Sequence, residues 1–110
     1  MNIQIFGTLR CNETRKAQRY FKERGIPFQF INLSEKGLSK GELNSVKAAI
    51  GMANLIDREG REYARANLRY LTHDAEEEAF KNPLLLKTPI VRNGVKATIG
   101  YTPDVWRTWE

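Results

Sequence analysis

Asn2-Ile3-Gln4-Ile5-Phe6 alternates polar and apolar side chains, the period of a strand. Gly7-Thr8-Leu9-Arg10 breaks the alternation as a loop. From Asn12 to Arg24 the apolar residues Ala17, Tyr20 and Phe21 recur at helical spacing, and Gly25 and Pro27 end the run. Phe28 to Leu33 is a second strand. Strand, helix, strand with a connection of this length predicts two parallel strands and a right-handed crossover.

The middle of the chain is helical in pattern. Ser39-Lys40-Gly41-Glu42 has the Ser-x-x-Glu arrangement of a capping box and opens a helix ending near Gly51. A weaker helical stretch covers Met52 to Ile56. Another runs from about Gly60 to Leu71, with Tyr63, Leu68 and Leu71 on its apolar side. Asp74 to Lys81 is a short acidic helix, stopped by Asn82-Pro83. Strand patterns then return. Pro89 to Arg92 and Val95 to Ile99 flank Asn93-Gly94, a strong hairpin signal. Thr102-Pro103 reads as a cap and first helical residue, opening a final helix that carries Val105, Trp106 and Trp109. The order is βαβ, a helical insert over about 39–82, then ββα. Without the insert this is an α/β, thioredoxin-like four-stranded mixed sheet, and with no repeat or linker it reads as one domain over 1–110.

Composition narrows the function. The 110 residues are 41% hydrophobic and 28% charged, ordinary for a soluble globular domain. Apolar runs such as Leu84-Leu85-Leu86 are too short to span a membrane. Met1 to Phe6 reads as a strand without a signal core, so the expected location is cytoplasmic. The net charge of +5 suits an acidic partner or an anionic substrate, and is too modest to imply direct nucleic-acid binding. One cysteine, Cys11, and one histidine, His73, exclude an internal disulfide and the usual zinc sites, and no metal is expected.

Cys11 carries the candidate chemistry. It follows strand one by a short loop and stands at the start of helix one. Helix-start N–H groups lack internal partners and the helix dipole is positive there, so both favour a thiolate. Arg10, Arg15 and Lys16 push the same way, and Glu13 pushes against them. A lone cysteine is otherwise a small buried hydrophobe. Thr14 stands where the second cysteine of a Cys-x-x-Cys pair would be. It can serve the helix start or donate a hydroxyl hydrogen bond to the thiolate. Thr88-Pro89 precedes a strand. In a thioredoxin-like fold this bond is usually cis and faces the cysteine, leaving the Thr88 backbone to pair with an extended thiol peptide. A proline opening a strand is the simpler reading.

The chain resembles the ArsC/Spx/YffB family, the arsenate-reductase-like branch of the thioredoxin and glutaredoxin fold. The likeness rests on Ile5-Phe6-Gly7, Cys11 in its Cys-Asn-Glu-Thr-Arg-Lys-Ala frame, and Gly25-Ile26-Pro27-Phe28. It rests most on Asn82-Pro83-Leu84-Leu85-Leu86-Lys87-Thr88-Pro89-Ile90-Val91, with Gly94, Ile99-Gly100-Tyr101 and Pro103 after it. The helical insert is a family feature as well. Arsenate reductases of this type hold their oxyanion with three arginines. Here one of those places is Thr88, one is Tyr101, and one falls at about Asp57, beside Arg58. Spx-type regulators often carry a Cys-x-x-Cys switch, which this chain cannot form.

The resemblance therefore implies a monothiol oxidoreductase of YffB type. Cys11 would be the nucleophile on a small-thiol or protein disulfide, and glutathione the co-substrate that resolves the intermediate. The implied substrate-binding residues are Arg10, Asn12, Thr14, Arg15, Lys87, Thr88 and Pro89. A basic set of Arg10, Arg15, Lys16, Lys87 and Arg92 would receive the two glutathione carboxylates. Two alternatives stand beside this reading. One is a non-enzymatic Spx-like regulator that binds a protein partner such as RNA polymerase. The other is an arsenate reductase with a rearranged anion site. Other features read as structural. His73 is a surface residue at a helix start, with a base beside Cys11 as its other role. Glu76-Glu77-Glu78 is a solvated helix start. Trp106 and Trp109 share a helix face and pack on the sheet, with Trp109 near the exposed end. Arg58, Arg61, Arg65 and Arg69 make a basic stripe that serves solubility or the docking of an acidic partner.

Overall fold

The computed structural model describes residues 1–67 and 74–110. Four strands form one sheet in the order β2-β1-β3-β4. They are β1 (Ile3–Gly7), β2 (Phe28–Asn32), β3 (Ile90–Asn93) and β4 (Lys96–Ile99). β1 and β2 run parallel, with Ile3 opposite Phe28 and Gly7 opposite Asn32. β1 and β3 are antiparallel, with Phe6 opposite Ile90. β3 turns into β4 through Gly94 and Val95, one residue later than the Asn93-Gly94 turn the pattern predicts, because Asn93 pairs with Lys96 and Gly94 takes the φ of +62°. The sheet is the mixed, thioredoxin-like sheet that the element order predicts.

All five residues of β1 are buried, because helices cover both faces of the central strand. On one face Ile3, Ile5 and Val91 meet α1 (Asn12–Glu23) and α6 (Pro103–Arg107). Tyr20, Phe21 and Trp106 form the centre there, with ring centroids 5.0 to 5.2 Å apart. On the other face Phe6, Ile31 and Ile90 meet the aliphatic side chains of the insert. Gln4 shares that face and is buried with partners. Its amide donates to Gln29 Oε1 and Glu42 Oε2, each at 3.0 Å, and accepts from Arg92 Nη1 at 2.6 Å.

The insert contains α2 (Lys40–Ile50), α3 (Met52–Leu55), α4 (Arg61–Arg65) and α5 (Ala75–Lys81), followed by a 3-10 turn over Pro83–Leu85. The capping box at Ser39 is present as predicted. Asp74 caps α5 by accepting from the Glu76 and Glu77 N–H groups. No helix of the described residues is long and apolar enough to cross a membrane.

Three expectations need correction. The helix expected over Gly60 to Leu71 is described only as α4, which stops at Arg65. Asn67 adopts φ +60°, a left-handed conformation that asparagine tolerates and a continuing helix does not. Leu68, Arg69, Leu71 and His73 lie outside the described residues. Thr102 precedes α6 but caps nothing, and its hydroxyl is buried without a partner. Trp109 lies beyond the end of α6 and packs half-buried against the Trp106 cluster.

Candidate active site

β1 delivers the chain to one end of the sheet, and the loop after Gly7 turns it back into α1. Cys11 is the N-cap residue of α1, with extended backbone at φ −77° and ψ 117°. Its N–H donates to Thr8 O at 3.2 Å, and its carbonyl takes the first helical bond from the Arg15 N–H, also at 3.2 Å. The Arg15 guanidinium clasps the loop, donating to Leu9 O at 2.7 Å and to Asn12 Oδ1 at 2.6 Å. The sulfur is partly exposed, and the thiol donates to Thr88 O at 3.7 Å.

The Cys11 thiol is held below its ordinary pKa. Partial burial raises it, but the Thr14 hydroxyl, the Thr88 side chain and the N–H groups of Thr14 and Glu13 outweigh that by favouring the thiolate. Thr14 is fully buried, and its Oγ1 has no hydrogen-bond partner among the described residues. It lies so close to the end of β1 that a Cβ on Gly7 would come within 2.4 Å of Oγ1. Only a glycine fits there.

Thr88-Pro89 is cis and Pro89 is buried. The Gly100 N–H donates to Pro89 O at 2.8 Å, with Gly100 at φ +83°. That bond brings Tyr101 against α1, where Lys16 Nζ lies 5.9 Å from the centre of its ring. Cys11, Thr14, Thr88 and Pro89 are thus assembled at one point. Arg10 and Lys87 are exposed nearby in the chain. Asn12 and Arg15 are engaged with each other and with the loop.

Arg92 is not part of the assembly. Its partner across the sheet is Gln4, at the start of β1, whereas Cys11 follows the end of that strand. Its guanidinium is spent on Gln4, on Ser45 Oγ at 3.1 Å and on Gly94 O at 3.0 Å. Its spacing from Pro89 did not reveal which end of the sheet it would occupy. Arg58 turns to Tyr63, donating to the phenol oxygen at 3.5 Å. Arg61, which the sequence did not connect with Cys11, and Asp57, which the resemblance placed at one of the lost oxyanion arginines, line a groove together with Thr8, Arg10 and Thr88. Helical spacing put Arg61 in a stripe but gave no sign of what that stripe faces. Among the described residues, no group of three or more His, Cys, Asp or Glu is placed to hold a metal.

A mixed sheet covered on both faces, with a cysteine at the first helix start and a cis Thr-Pro beside it, defines a thioredoxin-like protein with a helical insert. The chain belongs to the ArsC family, whose model matches residues 6–109. It is 27% identical over 111 residues to YusI of Bacillus subtilis, covering 94% of each chain. It is 28% identical over 109 residues to the global transcriptional regulator Spx 2 of Oceanobacillus iheyensis, covering 94% of this chain and 80% of the regulator. The solved structure of a YffB protein superposes with a TM-score of 0.82 at 20% identity, covering 96% of each chain, a likeness of fold.

Proposed function

We propose that the protein is a monothiol oxidoreductase in which Cys11 reduces glutathione mixed disulfides. The observation that carries this reading is the sulfur itself. It is partly exposed, caps α1, and is surrounded by groups that favour the thiolate. The Cys11 thiolate attacks the glutathione sulfur of a mixed disulfide. The old S–S bond breaks, the substrate leaves as a thiolate and takes a proton from water, and a Cys11–glutathione disulfide forms. A second glutathione, as thiolate, attacks that bond. Oxidised glutathione leaves and the Cys11 thiolate returns. One free glutathione thiol is oxidised for each substrate thiol released, the other half of the oxidised glutathione coming from the mixed disulfide itself, so no second protein cysteine is needed.

The α1 dipole favours the thiolate, and the Thr88 carbonyl, 3.7 Å from the sulfur, is the group an extended substrate would pair with in this reading. An arsenate site has weaker support. Thr88 and Tyr101 stand where the family resemblance places two of its arginines, and an oxyanion beside a thiolate needs charged donors. The test is turnover of a cysteine–glutathione mixed disulfide with reduced glutathione, together with the alkylation rate of Cys11 against pH. The reading predicts turnover that Cys11→Ser abolishes, and a thiol ionising below about 8.5. An ordinary thiol without turnover refutes it.

The identity to Spx 2 supports a second reading, in which the chain docks on a protein partner such as RNA polymerase. Purified RNA polymerase would then retain the protein on a column, with Cys11→Ser retained equally well.

A further inference from the structure

A groove of about 400 Å³ opens beside the Cys11 loop, within the size range of small-ligand sites. Thr8, Arg10 and Thr88 contribute from the Cys11 side, and Asp57, Arg61 and Leu84 from the insert. Two contacts join the groove to the sulfur's residue. The Cys11 N–H donates to Thr8 O at 3.2 Å, and the Cys11 thiol donates to Thr88 O at 3.7 Å.

The charges in this groove are unequally satisfied. Arg65 is paired with Glu62 at 3.2 Å. Arg10, Arg61 and Asp57 make no side-chain hydrogen bond or ion pair with the described residues. The groove therefore offers two cations and one anion unpaired among the described residues, and it adjoins Cys11 through Thr8 and Thr88. A tripeptide thiol such as glutathione carries the opposite set, two carboxylates and one ammonium, around a central cysteine.

We propose that this groove seats glutathione, with Arg10 and Arg61 taking the two carboxylates and Asp57 the ammonium. The assignment rests on the reading of Cys11 as a glutathione-dependent nucleophile and adds where the co-substrate is held. Both guanidiniums are exposed and have no side-chain partner among the described residues, so substituting them removes no contact of the described fold. Leu84 supplies apolar surface for the stem of the tripeptide. The insert thereby acts as the selectivity element, because Asp57 and Arg61 both belong to it.

The probe is S-methylglutathione, whose blocked sulfur cannot react, titrated into the wild-type protein by calorimetry and backbone NMR. Binding is expected, with shifts at Arg10, Asp57 and Arg61. Arg10→Gln and Arg61→Gln should each weaken it about fivefold. The dimethyl ester of the probe should bind wild type and both variants equally, an arm that needs no change in the protein. No binding, shifts centred on Lys16 and Tyr101 instead, or variants that bind like wild type would overturn the assignment. A kinetic arm separates it from the reading beneath. Cys11 is reacted with oxidised glutathione and with neutral bis(2-hydroxyethyl) disulfide. If Cys11 is inert to both while the probe still binds through the arginines, the site stands and the catalytic reading falls. If Cys11 reacts with both and the arginine variants leave the ratio of rates unchanged, the site falls and the catalytic reading stands.

Discussion

α2 begins on Ser39, whose hydroxyl accepts the Glu42 N–H at 3.1 Å while the Glu42 carboxylate accepts the Ser39 N–H at 2.9 Å. α1 begins on Cys11, whose side chain makes no cap hydrogen bond and sends its thiol proton to Thr88 O instead. The two helix starts face the same problem, since the first N–H groups of any helix lack intrahelical acceptors. At α2 oxygen atoms solve it permanently, and the helix is anchored. At α1 the acceptor is a sulfur that serves the Glu13 and Thr14 N–H groups well only when ionised. One cap belongs to folding. The other is completed by the deprotonation that makes the nucleophile.

Substitutions at the two caps should separate these roles. The largest expected effect is that of Cys11→Ser. It should remove all disulfide turnover, yet leave the unfolding free energy within about 1 kcal/mol, because serine is a good N-cap. A stability loss well beyond that in urea unfolding would mean that the sulfur holds the fold. Thr14→Val comes next. It keeps the buried shape but removes the hydroxyl, so the Cys11 thiol should ionise at higher pH and its alkylation at neutral pH should slow about tenfold. Thr14→Ser should restore the rate, and an unchanged rate in Thr14→Val would show that N–H groups alone set the thiolate.

Ser39→Ala is the mirror experiment. It should cost about 1 kcal/mol in denaturant unfolding and leave the Cys11 alkylation profile where it was. A shifted profile would mean that the two helix starts are coupled. The smallest effect is on stability against pH. The folded thiol ionises below its unfolded value, so between the two the unfolded chain holds a proton that the folded one has lost. The contribution of Cys11 is therefore complete above the unfolded value of about 8.5 and fades as pH falls through the folded one. Wild type should gain stability relative to Cys11→Ser as pH rises across that window, and a flat difference would argue against an ionised cap.

The strand–helix–strand start, the Ser39 capping box and the presence of a hairpin at Gly94, though not its turn at Gly94-Val95, were legible because each is local chemistry. Turn residues, caps and alternation act within a few positions of one another. The family resemblance extended that reach to the cis Thr88-Pro89 pair, whose Thr88 carbonyl meets Cys11 from 77 residues away. What stayed hidden depended on register and closure. Gln4 looks like the polar member of an alternating strand, yet it is buried, because β1 is central and Arg92, Gln29 and Glu42 satisfy its amide. Arg92 looked available to a substrate for the same reason. The pairing of Asp57 and Arg61 with Arg10 across a groove follows from how the insert folds back, which no spacing in the sequence encodes.

The contact between Gly7 and Thr14 also sets a tolerance. The first turn of α1 rests on the backbone of β1 through the Thr14 side chain alone, since Gly7 contributes none. The sulfur is therefore positioned by the central strand as well as by the loop that precedes it. The width of a single methyl group at Gly7 would press on Thr14 and put the nucleophile out of register.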